Sequence, residues 1–183
     1  MPSTADVSVR PARPGDAAAI AEVQLETWRA AYAEILPREV LDGLSDAGAE
    51  AQWRDAAAAP PTPLHAVLVA VHDGRLVGFT AVGPGLDDDA GGDRAEIYEL
   101  LVGPGFQQAG HGSRLLTAAV DHLEVHGARH LVTWRFPGDE AALRFFRSAG
   151  WDDDGSRRTL DMGRPVEQLR LHTEVGVSVT PMG

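Results

Sequence analysis

The spacing of apolar positions changes along the chain. Short apolar or alternating segments predict strands, and segments with apolar residues three or four positions apart predict helices. Five short apolar segments each predict a strand: Val7–Pro11, Ala66–Val71, Leu76–Gly83, Ala95–Val102 and His130–Trp134. Asp73-Gly74 joins the second and third segments and is typical of a β-hairpin turn.

A final hairpin is predicted near Arg157–Asp161 and Val166–Glu174, with its turn at Gly163. The last nine residues, 175–183, are expected to form a tail outside the folded core.

Helical spacing of apolar residues predicts four helices. The first covers Pro14 to Ile35, and the second runs from about Glu39 to Ala58, where Gly43 and Gly48 leave open a break into two helices. The third begins after the glycines near position 110 and ends before Gly127, and the fourth is Glu140–Ala149 with Asp139 as its N-cap.

The predicted order is a strand, helices, a β-hairpin, two strand–helix units and a terminal hairpin. This order favours the α/β (mixed α+β) class, with one twisted sheet and helices on both of its faces. A chain of 183 residues is long enough for one domain, which we expect to span residues 1–183 with its core at about 7–174.

Composition limits the possible functions. The chain has no cysteine, which excludes disulfides, zinc–thiolate sites and cysteine nucleophiles. Its net charge is -11, and all 16 basic residues are arginines. An acidic chain is not expected to bind nucleic acid, because phosphate contacts dominate that affinity. The sequence shows neither a signal peptide nor an apolar stretch long enough for a bilayer, so we expect a cytoplasmic protein without a membrane partner.

The segment from Ala95 to Leu116 is the most informative about function. It reads as a strand, a turn, a loop containing Gly110 and Gly112, and the start of an amphipathic helix. Free amides at a helix N-terminus, together with the helix dipole, form an anion site, and glycine allows close approach of the backbone. The segment therefore predicts a site for phosphate or pyrophosphate.

Two common phosphate-binding motifs are excluded. The Walker motif requires lysine, which this chain lacks. The dinucleotide-binding pattern G-x-G-x-x-G is incomplete, because Gln108 stands where its third glycine belongs.

Residues 107–112, QQAGHG, instead resemble the Q/R-x-x-G-x-G/A signature of the GNAT family of N-acetyltransferases. Two further segments support this resemblance: WRFPGDEAALRFFRSAGW at residues 134–151 is similar to the fourth-helix region of that family, and WRAAYAEILP at residues 28–37 to a bacterial subgroup. The resemblance covers about residues 7–174. It implies the GNAT fold, with six to seven strands in a mixed sheet and about four helices on both faces.

The resemblance also implies acetyl-CoA as co-substrate, with no metal. The pyrophosphate would bind the backbone amides of the loop, with the Ser113 hydroxyl beside them. The resemblance further implies that the preceding strand carries a bulge and splays from the next strand, so that pantetheine would pair with its backbone. The implied coenzyme-binding residues are Leu101, Val102, Gln107, Gln108, Ala109, Gly110, His111, Gly112, Ser113, Asp139, Phe145 and Phe146.

Glu96 is the candidate general base by this resemblance, since burial at the start of an apolar strand would raise its pKa. A merely solvated Glu96 at the strand end is the alternative. Strict strand alternation predicts that Glu99 faces the opposite side. The family commonly takes its general acid from a tyrosine where this chain has Phe146, which cannot donate a proton; Tyr98 is the candidate replacement.

Trp28 and Tyr32 are expected to line the acceptor pocket, together with part of the acidic loop Gly83–Arg94, whose Asp87, Asp88 and Asp89 would favour cationic amines. The predicted activity is transfer of acetyl to the primary amine of a small molecule or an amino acid. Acetylation of a protein N-terminus and acyl-CoA binding without catalysis remain alternatives, and a homodimer is left open.

Overall fold

The computed structural model describes residues 7–176, which form one mixed sheet with helices on both faces. The strands are β1 (Val7–Pro11), β2 (Ala66–His72), β3 (Arg75–Pro84), β4 (Arg94–Val102), β5 (His130–Arg135), β6 (Asp152–Asp161) and β7 (Pro165–Glu174). The helices are α1 (Ala17–Ala31), α2 (Arg38–Asp42), α3 (Asp46–Ala58), α4 (His111–Val125) and α5 (Glu140–Ser148). Short 3-10 helices precede α1 at Pro14–Asp16 and α4 at Pro104–Phe106.

The sheet order is β1-β2-β3-β4-β5-β7-β6. Neighbouring strands are antiparallel except β4 and β5, which run parallel and are connected through α4. The α/β fold predicted from the sequence is confirmed, with seven strands and five α-helices.

Each face of the sheet has its own apolar core. On one face, Ile97 and Leu131 pack with Leu116 and Leu123 of α4 and with Phe146 of α5. The opposite face carries α1 and α3, where buried residues of both helices pack against β2, β3 and β4: Ile20, Val23, Trp53, Val69, Phe79 and Leu101. Burial of these side chains is the main favourable contribution to folding.

Most predicted boundaries differ from the observed ones by a few residues. The predicted second helix is indeed two helices, α2 and α3, with Ser45 capping the second through a hydrogen bond from the Gly48 amide to its Oγ. The predicted first helix is too long at both ends, since Pro14–Asp16 is 3-10 and α1 ends at Ala31. Residues 177–183 of the predicted tail lie outside the described residues.

Two irregularities in the sheet create the functional site. In the β3–β4 pair, Ala81 pairs with Glu99 and Val82 pairs with Ile97, so Tyr98 is an extra residue in a β-bulge. Between β4 and β5, only Arg94, Ala95 and Glu96 have pairing partners, and the strands then separate. Both irregularities agree with the resemblance, which implies a bulged strand that splays from its neighbour.

Candidate active site

A cavity of about 600 Å³ opens between the separated strands β4 and β5. Leu101 and Val102 of β4 form one wall, and Asp139, Phe145 and Phe146 form another. The glycine loop and the first turn of α4 close one end, contributing Gln107, Gln108, Gly110, Gly112 and Ser113. Ten of the twelve predicted coenzyme-binding residues therefore line a single cavity.

The loop has the backbone of an anion site. Gln108 and Gly110 have φ of 61° and 80°, and α4 begins immediately afterwards at His111. The left-handed backbone at Gly110 explains the glycine, since other residues adopt this region at an energetic cost. Gly112 has a different role: a Cβ at this position would lie 3.3 Å from the Phe145 ring, so the ring would have to shift by a few tenths of an ångström. Glycine thus lets the backbone of α4 and the aromatic ring of α5 approach each other closely.

His111 and Ala109 do not line the cavity. The His111 side chain is buried behind the loop, with its Nε2 atom 3.1 Å from Nδ1 of His72. The assignment of His111 to the coenzyme concerns its backbone amide and stays a prediction, while its imidazole is buried rather than directed to the solvent. Its orientation follows from its place as the first residue of α4, facing the sheet rather than the solvent, and leaves only its backbone for ligand contact.

Asp139 is the N-cap of α5, as predicted. Its Oδ1 accepts a hydrogen bond of 3.1 Å from the Ala142 amide, which satisfies one free donor of the helix. Phe146 is almost completely buried and packs on Trp151, whereas Phe145 contacts Gly112. Both aromatic residues shape the cavity, and neither can transfer a proton.

Glu96 is buried at the last position of β4 that pairs with β5, with 4% of its surface exposed. Burial raises the pKa of Glu96 to about 7, against opposing effects from Arg158, the Leu86 backbone and Arg135. Its Oε2 atom has no hydrogen-bond partner among residues 7–176. The interpretation of Glu96 as a solvated strand end is thus wrong. A carboxyl group whose pKa lies near 7 is suited to act as a general base at neutral pH.

Glu99 lies on the same face of β4 as Glu96, and the expectation of opposite faces is wrong. Strict alternation would place two residues three positions apart on opposite faces. The bulge at Tyr98 inserts one extra residue between Glu96 and Glu99, so both side chains project from the same face. Glu99 is enclosed by Trp28, which donates a hydrogen bond of 3.1 Å from Nε1, and by Arg135, whose guanidinium lies 3.4 Å away. Burial raises the pKa of Glu99, and Arg135 opposes that shift.

Trp28 therefore holds Glu99 in place and does not line the cavity, while Tyr32 does line it. Tyr32 is buried and packs against Phe136. Burial raises the pKa of Tyr32, so its hydroxyl stays protonated. The structure thus places one of the two predicted acceptor residues at the cavity and the other behind it.

Tyr98 lies over Gly83, the residue that pairs with Glu96. Its hydroxyl donates a hydrogen bond of 2.6 Å to the Pro84 carbonyl oxygen. Burial, together with the negative charge of Glu96, raises the pKa of Tyr98 to about 12. Tyr98 is therefore near Glu96, as the sequence predicts, with its proton already in a hydrogen bond.

The acidic loop between β3 and β4 does not present free carboxylates as expected. Arg170 of β7 binds Asp87 at 2.9 Å and Asp89 through two bonds of 2.9 Å, and it also binds Asp154 at 2.6 Å. These hydrogen bonds hold the pKa of Asp89 well below its usual range. Asp87 and Asp89 are thus held by arginines, whereas Asp88 is exposed, and the attraction of this loop for cationic amines stays a prediction.

Sequence reasoning missed Arg135 and Arg170. Both are less than a tenth exposed and sit in strands with alternating apolar residues, where arginine gives no recognisable signal. Their partners come from distant segments, Glu99 for Arg135 and the acidic loop for Arg170, so only the folded chain reveals the pairs.

The fold and the cavity define a class of acyltransferase, and comparison with known proteins agrees. Residues 20–151 match the acetyltransferase (GNAT) family, and the chain belongs to that family. It is thus an N-acetyltransferase that depends on acetyl-CoA.

Individual relatives and solved structures resemble the chain over most of its length. It is 31% identical over 129 residues to the uncharacterized N-acetyltransferase YuaI of Bacillus subtilis (strain 168), covering 70% of each protein. PaiA N-acetyltransferase from Thermoplasma acidophilum, solved in complex with coenzyme A, superposes with a TM-score of 0.76 at 16% identity, covering 92% of this chain and 99% of that one. YncA from Salmonella typhimurium, solved with its cofactor acetyl-CoA, superposes with a TM-score of 0.71 at 19% identity, covering 97% and 98%.

Within residues 7–176, no helix is both long and apolar enough to cross a membrane. The same residues contain no cluster of three or more histidines and carboxylates arranged to hold a metal ion.

Proposed function

We propose that the protein transfers the acetyl group of acetyl-CoA to a primary amine of a small molecule or an amino acid, with Glu96 as general base. The observation that carries this proposal is the position of Glu96: its buried carboxyl group, with a raised pKa, sits where β4 and β5 separate.

The residues around the cavity fit coenzyme A. Amides at the start of α4 offer donors to a pyrophosphate, and Gly110 and Gly112 keep the backbone accessible. The separated segment of β4 leaves backbone groups of Leu101 and Val102 beside the cavity, where an extended pantetheine chain could pair with them. Arg144 also lines the cavity and adds positive charge for the phosphates.

Bound acetyl-CoA supplies an activated acyl group as a thioester. An amine with an ordinary pKa near 10 must lose a proton before it attacks, and Glu96 can accept that proton directly or through a water molecule. The new bond joins the amine nitrogen to the carbonyl carbon, and the bond from that carbon to sulfur breaks. The leaving thiolate then takes up one proton, so the reaction is balanced.

Tyr98 is the proposed source of that last proton. To donate, its hydroxyl must give up the hydrogen bond to the Pro84 carbonyl. A free thiol has a pKa of about 8.5, so a thiolate leaves near neutral pH with little assistance, and water can replace Tyr98.

The test is turnover of acetyl-CoA with a broad panel of amines, amino acids and peptides, with products identified by mass spectrometry. Acetylated small amines or amino acids support the proposal. Activity on peptide N-termini alone would favour an N-terminal acetyltransferase, and coenzyme A binding without any product would indicate a non-catalytic module. Localisation in the cell can test the expected cytoplasmic location, and measurement of the size of the protein in solution can test whether it forms a homodimer.

A further inference from the structure

Arg158 of β6 is a positive charge without a carboxylate partner on the face of the sheet that carries Glu96. Among residues 7–176, no carboxylate oxygen lies within 4.0 Å of its guanidinium. Its neighbour Arg170 is the opposite case, with three carboxylates in contact. Two arginines of one sheet face thus differ sharply in how their charge is compensated.

The position of Arg158 is fixed by contacts that leave its outer nitrogens available. Its Nε donates a hydrogen bond of 2.8 Å to Oε1 of Gln168, a buried residue and its pairing partner across β6 and β7. The guanidinium stacks over the Trp134 ring, 4.5 Å from the ring centre. Such contacts reduce the entropy lost when a ligand binds, because the side chain is already oriented.

Arg158 and Glu96 act on each other through space. Burial lowers the pKa of Arg158, and the negative charges of Glu96 and Asp87 oppose that shift. In turn, the positive charge of Arg158 opposes the burial that raises the pKa of Glu96. Asp87 also faces this pair, but its carboxylate accepts hydrogen bonds from Trp134 and Arg170. What remains for a ligand is one unpaired guanidinium and one buried carboxyl oxygen without a partner, Oε2 of Glu96.

We propose that the acceptor carries a carboxylate next to its primary amine, and that Arg158 binds the carboxylate while Glu96 faces the amine. The shape of guanidinium matches a carboxylate through two parallel hydrogen bonds, and the stacked, half-buried position strengthens the interaction. The acceptor class is therefore a free α-amino acid, in which the two groups share one carbon. A peptide N-terminus has no carboxylate on that carbon. This inference rests on the proposed function and restricts its acceptors from primary amines in general to free α-amino acids.

The test compares three acceptors that share one side chain: phenylalanine, phenylalaninamide and phenylethylamine. For the wild-type protein we expect kcat/KM for the amino acid to exceed that for the amide and the amine by about 10- to 100-fold, as for one charged hydrogen-bonded pair. Arg158→Gln should remove this preference, mainly by raising KM for the amino acid, and Arg158→Lys should restore part of it. Because the charge of Arg158 also lowers the pKa of Glu96, turnover of phenylethylamine is compared well above neutral pH, where Glu96 is ionised in both proteins. Under that condition Arg158→Gln should reduce kcat/KM for phenylethylamine less than kcat/KM for phenylalanine.

Arg157→Gln is the matched control. Arg157 is the preceding residue of β6 and pairs with Asp153 at the surface, so its loss should leave the preference intact. Circular dichroism and thermal unfolding of each variant separate a loss of binding from a loss of folding. The same panel should be repeated with several side chains, since Arg158 is proposed to bind the carboxylate and not the rest of the acceptor.

Binding of the amino acid to the protein saturated with coenzyme A, measured by calorimetry, separates the two proposals. Binding that depends on Arg158 without turnover would support the carboxylate site and contradict the proposed reaction. Turnover of amines with no preference for a carboxylate, or a preference unchanged in Arg158→Gln, would overturn the carboxylate site and leave the reaction standing. The absence of binding and turnover with every amino acid and every other amine would overturn both.

Discussion

Glu96 and Glu99 point to the same face of β4, because the bulge at Tyr98 inserts one residue between them. Their surroundings nevertheless differ. Glu99 is satisfied by Trp28 and Arg135, whereas Oε2 of Glu96 has no partner within the described chain. Of these two neighbouring carboxyl groups, the partly buried one of Glu99 is therefore held in a structural ion pair, and the buried one of Glu96 is available to exchange a proton.

Replacing Glu96 by glutamine should lower kcat/KM by roughly 10²–10⁴-fold, the usual contribution of a general base. In the wild-type protein, kcat/KM should rise with pH through an apparent pKa of about 7, since Glu96 accepts a proton only when ionised. Steady-state kinetics across pH should show that this rise disappears in the variant, with acetyl-CoA affinity unchanged as the control. Wild-type kcat/KM in Glu96→Gln at neutral pH would instead favour catalysis by proximity alone.

The same substitution should stabilise the fold above neutral pH. The pKa of Glu96 is about 7 in the folded chain and near 4.3 when unfolded, so the folded state binds more protons between these values. The free energy of unfolding should therefore fall as pH rises through this window, by roughly 2–3 kcal/mol from this group. Urea unfolding at pH 5 and pH 8 should show Glu96→Gln gaining stability over wild type mainly at pH 8. An equal difference at both pH values would contradict the raised pKa.

Gly110→Val should lower the affinity for coenzyme A at least tenfold, because a β-branched residue at a φ of 80° distorts the loop. A Cβ here would otherwise meet only the mobile end of Arg114, so backbone strain is the main effect. Gly127→Val is the matched control: Gly127 has a φ of 93° at the other end of α4, with open space around it. Both variants should lose about 1–3 kcal/mol of stability, and only Gly110→Val should lose affinity in calorimetry. Equal affinity in the two would contradict the assignment of the loop.

Arg170→Gln should destabilise the protein by roughly 2–3 kcal/mol, because it removes the charged hydrogen bonds that Asp87 and Asp154 make with a buried arginine. Arg157→Gln breaks an exposed pair with Asp153 and should cost no more than about 1 kcal/mol. Chemical unfolding of both variants measures the difference. Similar small losses would show that the acidic loop does not depend on Arg170.

Tyr98→Phe should reduce kcat only about 3- to 10-fold at neutral pH, because water can protonate the departing thiolate. Phe146→Tyr should also change kcat only modestly, since Tyr98 and water already serve that step. Single-turnover kinetics on both variants provides the check. A loss of 10³-fold or more in Tyr98→Phe would make Tyr98 an essential acid.

The sequence predicted the strands, the glycine loop and the cap at Asp139 well, because each depends on local chemistry. Apolar spacing, a left-handed glycine and an N-cap are properties of a few adjacent residues. The cavity-lining residues Leu101 and Val102 followed from the family resemblance.

The errors at the site concern side-chain direction or distant pairing. A single extra residue at Tyr98 changed the face of Glu99, and nothing in the local sequence marks a bulge there. The charges of Asp87 and Asp89 were read as free because Arg170 lies more than eighty positions further along the chain. Arg158, the basis of the acceptor proposal, is one of two consecutive arginines that only the strand register distinguishes.

The separation of β4 from β5 also affects the dynamics of the sheet. Only three residue pairs, from Arg94–His130 to Glu96–Val132, connect β1–β4 to β5–β7 within the ladder. The amide hydrogens beyond Glu96 on the β5 side of β4 lack a strand partner, so they should exchange rapidly with deuterium and become protected when an extended ligand fills the gap. Hydrogen exchange along residues 97–102 would thus report occupancy of the cavity without any turnover.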